Sequence, residues 1–210
     1  MTASTHSVEQ PAVLILASQS QQRFDLLRQL GFAPQCLSAD VDETPLPDES
    51  PAELVVRLAC LKASACVTKP GFSDIIGAGR SGVVLAADTV IDLDGQILGK
   101  PNDETQALDM LEQLSGRSHR VHSGVCVQRT GVDEQYTVLV TTIVEFAHLS
   151  RQKARYYWLS GEPQGKAGSY AIQGSGAQFV VHLEGSYSNV VGLPLYETTQ
   201  LLARAGLTSL

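Results

Sequence analysis

The stretch that decides the fold is "VLILASQSQQRFDLLRQLG", residues 13–31, in which an apolar run gives way abruptly to a helical pattern. The run in residues 12–17 predicts a buried strand, and the helix after it is expected to end at Gly31. The apolar face of that helix would consist of Phe24, Leu27 and Leu30. The serines and glutamines between strand and helix allow two interpretations. They form either a capped turn or a place where hydroxyls, amides and one arginine meet an anion.

The rest of the chain repeats these two kinds of pattern. The segment "SPAE", residues 50–53, is a capping box with proline at the first helical position, and it predicts a helix with the apolar stripe Leu54, Leu58, Leu61 and Ala65. Residues 83–87 predict a buried strand that ends at Asp88 and Thr89, and Asp94-Gly95 predicts a hairpin turn. Further strands are predicted over 33–39, 119–128, 136–147 and 177–183, helices over 103–114, 150–160 and 193–206, and a loop over 70–82. The fold class is therefore α/β (α+β mixed), a mixed twisted sheet with flanking helices.

Composition limits the functions that such a chain can have. The 210 residues carry a formal net charge of -7, which argues against a nucleic-acid partner, because nucleic-acid surfaces need clustered cations. Residues 1–11 read as a flexible tail, and the apolar run after them is too short to span a membrane. The four cysteines show neither a C-x-x-C pair nor the spacing of a structural zinc site, so they are expected to be free thiols, which fits a reducing cytoplasm. An anionic substrate would need a local cluster of cations.

Asp88 is the first candidate for chemistry, because the apolar segment "VVLAAD" leads straight into this carboxylate. Ligand clefts of open α/β sheets form beyond the carboxyl ends of strands, where an acid can bind a metal or act as a general base. An aspartate that merely turns the chain is an equal alternative. Thr89 adds a hydroxyl at the same place.

Two lysines and one loop are weaker candidates. Lys62 lies at the edge of an apolar helical face and Lys100 precedes a proline, and each could bind phosphate or simply reach solvent. The segment "EPQGKAGSYAIQGSG", which begins at Glu162, combines glycines with Lys166 and Gln173, a composition that suits close approach to a phosphate or base. It matches neither a Walker loop nor a dinucleotide fingerprint.

Taken together, these segments resemble the Maf family of nucleoside triphosphate pyrophosphatases over nearly the whole chain, which is identified as one Maf-like domain of residues 12–210. The motifs that carry the resemblance are, in order, "LILASQSQQRFDLLRQLG", "RLACLKA", "AADTVIDLDGQILGKP", "ALDMLEQLSGRSHRV", "GEPQGKAGSYAIQG" and "GSYSNVVGLPLYET". The resemblance implies two lobes around a deep cleft and a homodimer. It also implies hydrolysis of a nucleoside triphosphate to monophosphate and pyrophosphate with a divalent cation, Mg²⁺ or Mn²⁺.

The same resemblance assigns roles to the candidate residues. Asp88 matches the catalytic acid, which orients or deprotonates water or binds the metal, and Glu43 matches a second carboxylate at the metal. The residues that match triphosphate contacts are Ser18, Arg23, Lys62 and Lys100, with Gln22 and Thr89 also expected at the substrate. Positive charge in such a cleft would stabilise the charge that builds on the phosphates during attack.

Gln173 points to the substrate branch. The "GSYAIQG" form resembles the dTTP/UTP branch of the family, whereas a branch acting on 7-methyl-GTP carries glutamate there. A glutamine amide can donate to a pyrimidine O4 and accept from N3–H, whereas a carboxylate only accepts. Family members usually read "SxSPRR", but Gln21 and Gln22 replace the proline and first arginine here. That departure predicts weaker triphosphate binding or altered base preference. The alternatives are a pyrophosphatase for modified nucleotides such as 7-methyl-GTP, or a nucleotide-binding regulator of cell division with little turnover.

Overall fold

The computed structural model describes residues 12–78, 80–131 and 134–208, so the predicted tail of residues 1–11 lies outside the described residues. The strands are β1 Val13–Leu16, β2 Gln35–Cys36, β3 Gly82–Leu93, β4 Gln96–Leu98, β5 Ser118–Arg129, β6 Gln135–Phe146 and β7 Val180–Glu184. The α-helices are α1 Gln21–Gln29, α2 Pro51–Val67, α3 Phe72–Ile76, α4 Glu104–Leu114, α5 Arg151–Leu159, α6 Tyr187–Val191 and α7 Leu195–Arg204. Short 3-10 helices cover Ala167–Ser169 and Ser175–Phe179. None of the helices in these described ranges is long and apolar enough to cross a membrane.

The strands form one mixed sheet in the order β2-β1-β3-β5-β6-β7, with β4 paired to β3. Strand β1 runs parallel to β2 and β3, whereas the other pairs are antiparallel. This arrangement confirms the predicted mixed α/β class. On one edge of β3, β1 pairs as far as Leu85 and β4 begins to pair at Ile91. In the described part of the chain, the stretch 86–90 therefore has no strand on that edge, and a cleft can open there.

The prediction that a strand ends at Asp88 and Thr89 is wrong. Strand β3 continues to Leu93 because β5 pairs with it along its other edge, with Asp88 opposite Gly124. The change of partner from β1 to β4, rather than the end of the strand, exposes Asp88 to the cleft.

Helix α2 rests almost directly on the sheet at Gly124. A Cβ atom added to Gly124 would lie 2.3 Å from the Val55 carbonyl oxygen and 2.6 Å from the Val56 nitrogen. Only a residue without a side chain allows this approach of helix to strand. The capping box at Ser50 that begins α2 is confirmed.

The predicted apolar stripe of α2 is only partly right. Leu54 and Leu58 are buried, but Leu61 is 42% exposed. The buried face consists of Leu54, Val55, Leu58, Ala59, Ala63 and Cys66. Its small residues fit the narrow space between helix and sheet, which helical spacing alone does not reveal.

Several other elements differ from expectation in extent. The predicted loop 70–82 contains α3, and the strand predicted over 33–39 is reduced to β2. The first three residues of the strand predicted over 177–183 belong instead to the 3-10 helix Ser175–Phe179. The hairpin at Asp94-Gly95 is confirmed, since both residues have positive φ, 53° and 89°, as a type I′ turn requires.

Candidate functional site

A cleft of about 1000 Å³ lies over the stretch of β3 between its two partners. One wall comes from the ends of β1 and α1, another from α2 and the loop before it, and a third from β4 and residues 165–173. All nine residues predicted for the site line this cleft: Ser18, Gln22, Arg23, Glu43, Lys62, Asp88, Thr89, Lys100 and Gln173. The fold thus brings together positions that are up to 155 residues apart in the chain, from Ser18 to Gln173.

The turn between β1 and α1 holds Arg23 in a fixed orientation. Its guanidinium donates from Nη1 to the Ser18 hydroxyl at 3.2 Å, from Nη2 to the Thr89 hydroxyl at 3.1 Å and from Nε to the Gly192 carbonyl at 2.9 Å. Burial lowers the pKa of Arg23, and the negative charges of Asp88 and Glu43 oppose that change. Arg23 is therefore a pre-oriented cation at the start of a helix.

The same turn is also a helix cap, which confirms the first of its two interpretations, while anion binding there stays a prediction. Ser20 is the N-cap of α1 and accepts a hydrogen bond from the Arg23 backbone N–H at 3.4 Å. Its hydroxyl also donates to the amide oxygen of Gln22 at 3.2 Å. Gln21 donates from its amide to Asp25 at 2.8 Å along α1. The side chain of Gln22 is thus tied to the cap of the helix that carries Arg23.

Lys62 lies between two carboxylates. Its Nζ is 2.6 Å from Asp88 Oδ1 and 2.6 Å from Glu43 Oε1. The Lys62 and Asp88 side chains are only 12% and 13% exposed, whereas Glu43 is 61% exposed. The two acids therefore converge on one point of positive charge, one from the sheet and one from a surface loop.

The loop that carries Glu43, residues 40–49, is fastened to α2 by contacts that the sequence did not indicate. Arg57 binds the Glu49 carboxylate with Nε to Oε1 at 2.5 Å and Nη2 to Oε2 at 2.7 Å, and it also donates to the Thr44 carbonyl at 3.1 Å. The hydrogen bond from Arg57 lowers the pKa of Glu49 to about 2. Helix α2 thus holds this loop at Glu43 itself, through Lys62, and at two residues after it, through Arg57.

The glycine-rich loop, residues 161–176, is organised differently. Its backbone folds around the carboxylate of Glu162, and Gly168 N–H donates to the Gly99 carbonyl at 2.9 Å, which joins the loop to the residue before Lys100. Lys166 and Gln173 line the cleft from this loop. Within the described residues, the side chains of Lys100 and Gln173 make no hydrogen bond or ion pair and are available to a ligand.

Some residues of the site were not foreseen from the sequence. Ser123 shares a 2.8 Å hydrogen bond with Thr89, and the Gly192 carbonyl accepts from Arg23. A strand serine gives no local signal, and a backbone carbonyl gives none at all. Ser20 could have been found, because a serine that begins an amphipathic pattern is a typical helix cap.

The fold and cleft define a class: a mixed α/β protein whose sheet opens onto cations, hydroxyls and paired carboxylates suited to a phosphate-bearing ligand. Residues 13–205 match the sequence profile of the family described as "Maf-like protein". The chain therefore belongs to the Maf-like family, as its motifs indicated.

Relatives in this family carry a common name. The chain is 48% identical over 195 residues to the "dTTP/UTP pyrophosphatase" of Pseudoalteromonas atlantica, covering 93% of this chain and 98% of that protein. The protein of the same name from Nitrosomonas europaea is 45% identical over 204 residues, covering 93% and 95% of the two chains. That from Anaeromyxobacter dehalogenans is 49% identical over 195 residues, covering 92% and 94%. The solved structure of the Staphylococcus aureus Ham1 protein overlaps 64% of this chain and 71% of its own at TM-score 0.41 and 15% identity, a likeness too slight to support any inference.

Proposed function

We propose that this protein hydrolyses dTTP and UTP to the nucleoside monophosphate and pyrophosphate, and so removes unwanted nucleotides. The observation that carries the proposal is the convergence of Asp88 and Glu43 on Lys62 inside a cleft that also holds Arg23 and Lys100. The names of the 45–49% identical relatives support the same activity.

The triphosphate is proposed to lie against Ser18, Arg23, Lys62 and Lys100. An acidic protein with a net charge of -7 can bind a polyanion only where such cations are gathered, and preorganised donors stabilise charge in the transition state most strongly. Arg23 is held by three hydrogen bonds from its guanidinium, so little reorganisation is needed when phosphate arrives. Thr89 would support this arrangement through its contact with Arg23.

Asp88 is proposed to orient the attacking water and accept its proton. Its Oδ1 atom is bound to Lys62 at 2.6 Å, which fixes the carboxylate while leaving Oδ2 for the water. Attack would occur at the α-phosphorus, with pyrophosphate as the leaving group. A side chain in this role must lie within hydrogen-bond distance of the proton that it takes.

The donor set fits a divalent metal that the substrate completes. In the described residues there is no group of three or more His, Cys, Asp or Glu side chains placed to hold an ion by themselves. Mg²⁺, however, is commonly held by one or two carboxylates together with substrate phosphates. Asp88 and Glu43 would supply those two carboxylates to Mg²⁺ or Mn²⁺. Once bound, the ion would draw negative charge away from the phosphate oxygens.

Selection of the base is assigned to Gln173. Its amide can both donate to O4 and accept from N3–H of thymine or uracil, and its side chain is exposed on the wall of the cleft. This assignment distinguishes the proposed substrates from 7-methyl-GTP, for which a carboxylate would be better suited.

The test is a product assay on the purified protein and Asp88→Asn, with a panel of nucleoside triphosphates and Mg²⁺ or Mn²⁺. We expect dTTP and UTP to give monophosphate and pyrophosphate, and Asp88→Asn to lose at least about 100-fold in rate. Asp109→Asn, an exposed change on α4, is the matched control and should keep full activity. Preference for 7-methyl-GTP, or binding without turnover as in a regulator of cell division, would contradict the proposal.

Gln22 gives a second test of substrate binding. A neutral amide cannot make the charge-assisted contact to phosphate that an arginine makes. Gln22→Arg is expected to lower KM for the triphosphate or to reorder the preferred bases. Unchanged KM and unchanged ranking would show that Gln22 does not contact the substrate.

Four further proposals rest on the family resemblance and composition. We propose a homodimer, one domain over residues 12–210, and residence in a reducing cytoplasm without a nucleic-acid partner. The cysteines Cys36, Cys60, Cys66 and Cys126 are all free. Light scattering after size-exclusion chromatography would reveal a monomer if the dimer assignment is wrong.

A further inference from the structure

Gln173 lies on a turn whose two flanks are held by one pair of side chains. On the N-terminal flank, the Tyr157 hydroxyl accepts from the Ala171 backbone N–H at 3.0 Å. On the C-terminal flank, Glu162 accepts from the backbone N–H groups of Ser175 at 2.8 Å and Gly176 at 2.9 Å. The position of the Gln173 amide therefore depends on contacts made by its neighbours.

Tyr157 and Glu162 act as a unit because they are bonded to each other. The Tyr157 hydroxyl donates to Glu162 Oε1 at 2.7 Å, and Glu162 Oε2 also accepts from the Ser175 hydroxyl at 2.8 Å. Tyr157 itself is anchored in the core, only 4% exposed and packed edge-on against Phe179 with ring centroids 5.0 Å apart. The carboxylate is thus connected through Tyr157 to a rigid part of the molecule.

Glycine at position 174 lets the turn approach this carboxylate. A Cβ atom on Gly174 would lie 2.4 Å from Glu162 Oε2, so no larger residue fits next to Gln173 without moving Glu162. Burial acts to raise the pKa of Glu162, but the hydrogen bonds from Tyr157, Gly176 and Ser175 outweigh it and lower the pKa. Glu162 is therefore ionised at neutral pH and accepts at both oxygens.

We propose that Glu162 is the positioning residue for Gln173 and so determines base selectivity, an inference that rests on the function proposed above. Glu162 does not touch the substrate. Glu162 fixes the backbone that carries Gln173. The Gln173 amide needs a fixed orientation to recognise a base edge, because its NH₂ donor and its carbonyl acceptor pair with different atoms of the base. Without Glu162, Gln173 would keep its chemistry and lose its orientation.

The first experiment measures selectivity in Glu162→Gln. In the variant, one of the two oxygens is replaced by an NH₂ group, which cannot accept the backbone N–H of Ser175 or of Gly176. The turn therefore loses one of its two hydrogen bonds to residue 162. We expect the ratio of kcat/KM for dTTP to kcat/KM for dATP to fall about ten-fold, the effect of one misplaced hydrogen bond. Inhibition by inorganic tripolyphosphate, which has no base, should not change. Glu112→Gln, an exposed change on α4, is the matched control.

A double-mutant cycle separates positioning from general loss of structure. If Glu162 acts through Gln173, adding Glu162→Gln to Gln173→Ala should cost no further selectivity, since the effects of coupled residues are not additive. Additive effects would overturn the proposal. So would unchanged selectivity in Glu162→Gln when Gln173→Ala has lost it. If wild-type protein itself does not distinguish bases, the proposed function fails instead.

Hydrogen exchange gives a reading that does not depend on activity. In Glu162→Gln, amides of residues 171–176 should exchange faster while those of α2 stay unchanged. Tyr157→Phe removes the hydroxyl that links both flanks and should reproduce the faster exchange in a milder form, which covers the case in which Glu162→Gln does not fold. Unchanged exchange in a folded variant would overturn the proposal.

Discussion

The two loops at the cleft, residues 40–49 and residues 161–176, are held to the fold in different ways. The first is fastened by an ion pair, Arg57 with Glu49, and carries a charged group, Glu43, into the cleft. The second folds around Glu162, whose partners among the described residues are neutral N–H and O–H groups, and it carries the neutral amide of Gln173. The proposed roles differ in the same way: residues 40–49, the acidic loop, would act at the metal through Glu43, and the glycine-rich loop would act at the base through Gln173.

Of the three variants that test this difference between the loops, Glu43→Gln should have the largest effect. Loss of one of two converging carboxylates is expected to reduce kcat/KM about 10- to 100-fold. The reduction should be the same for dTTP, UTP and other triphosphates, because Glu43 is proposed to hold the metal and not to contact the base. Steady-state kinetics over several substrates measures this. A change in the ranking of bases would contradict the assignment of base recognition to the glycine-rich loop alone.

Gly174→Ala should have the next largest effect, this time on stability. The new methyl group would lie 2.4 Å from the Glu162 carboxylate, and overpacking of this kind costs about 1–3 kcal/mol. Denaturant unfolding measures the loss. Gly99→Ala is the matched control, because a Cβ there meets nothing within 4 Å and its φ is not positive. Equal stability of the two variants would show that the turn at Gly174 adjusts freely.

Arg57→Gln should have the smallest effect. It tests, through the pH dependence of stability, whether the ion pair with Glu49 holds the acidic loop. The folded pKa of Glu49 is lowered to about 2 from 4.5, so the ion pair stabilises the fold above pH 4.5 and loses that contribution as pH falls towards 2. The difference in Tm between wild type and Arg57→Gln should therefore be equal at pH 7 and pH 5 and shrink below pH 4.5. A difference that grows in acid would contradict the role of this ion pair.

The residues predicted for the site lie together in one cleft, but the structure around them was less predictable from the sequence. Asp88, Lys62 and Gln173 could be found because each belongs to a recognisable family motif. The continuation of β3 through Asp88 could not be foreseen, since it depends on pairing with β5, whose partner residue Gly124 lies 36 positions later. A carboxylate after an apolar run gives the same local pattern whether the strand stops or only changes partner.

The contacts that hold the two loops could not be predicted from the sequence either, and the reason is physical. Arg57 and Glu49 are eight residues apart across a loop and the first turns of α2, so neither helical nor strand periodicity relates them. Glu162 appeared in the sequence as one polar residue among glycines. Its role depends on Tyr157, which belongs to the preceding helix α5 and to the core. Such partnerships arise only when the chain has folded.

Gly124 lies outside the cleft, but its contact with α2 affects residues that line the cleft. No substrate is proposed to reach it, yet it sets the thickness of the layer between α2 and the sheet. Lys62 and Arg57 are both carried by α2, so a single methyl group at this position would move the partner of Asp88 and the anchor of the acidic loop together. Glycine at position 124 therefore affects the arrangement of charged groups in the cleft as well as the packing of the helix on the strand.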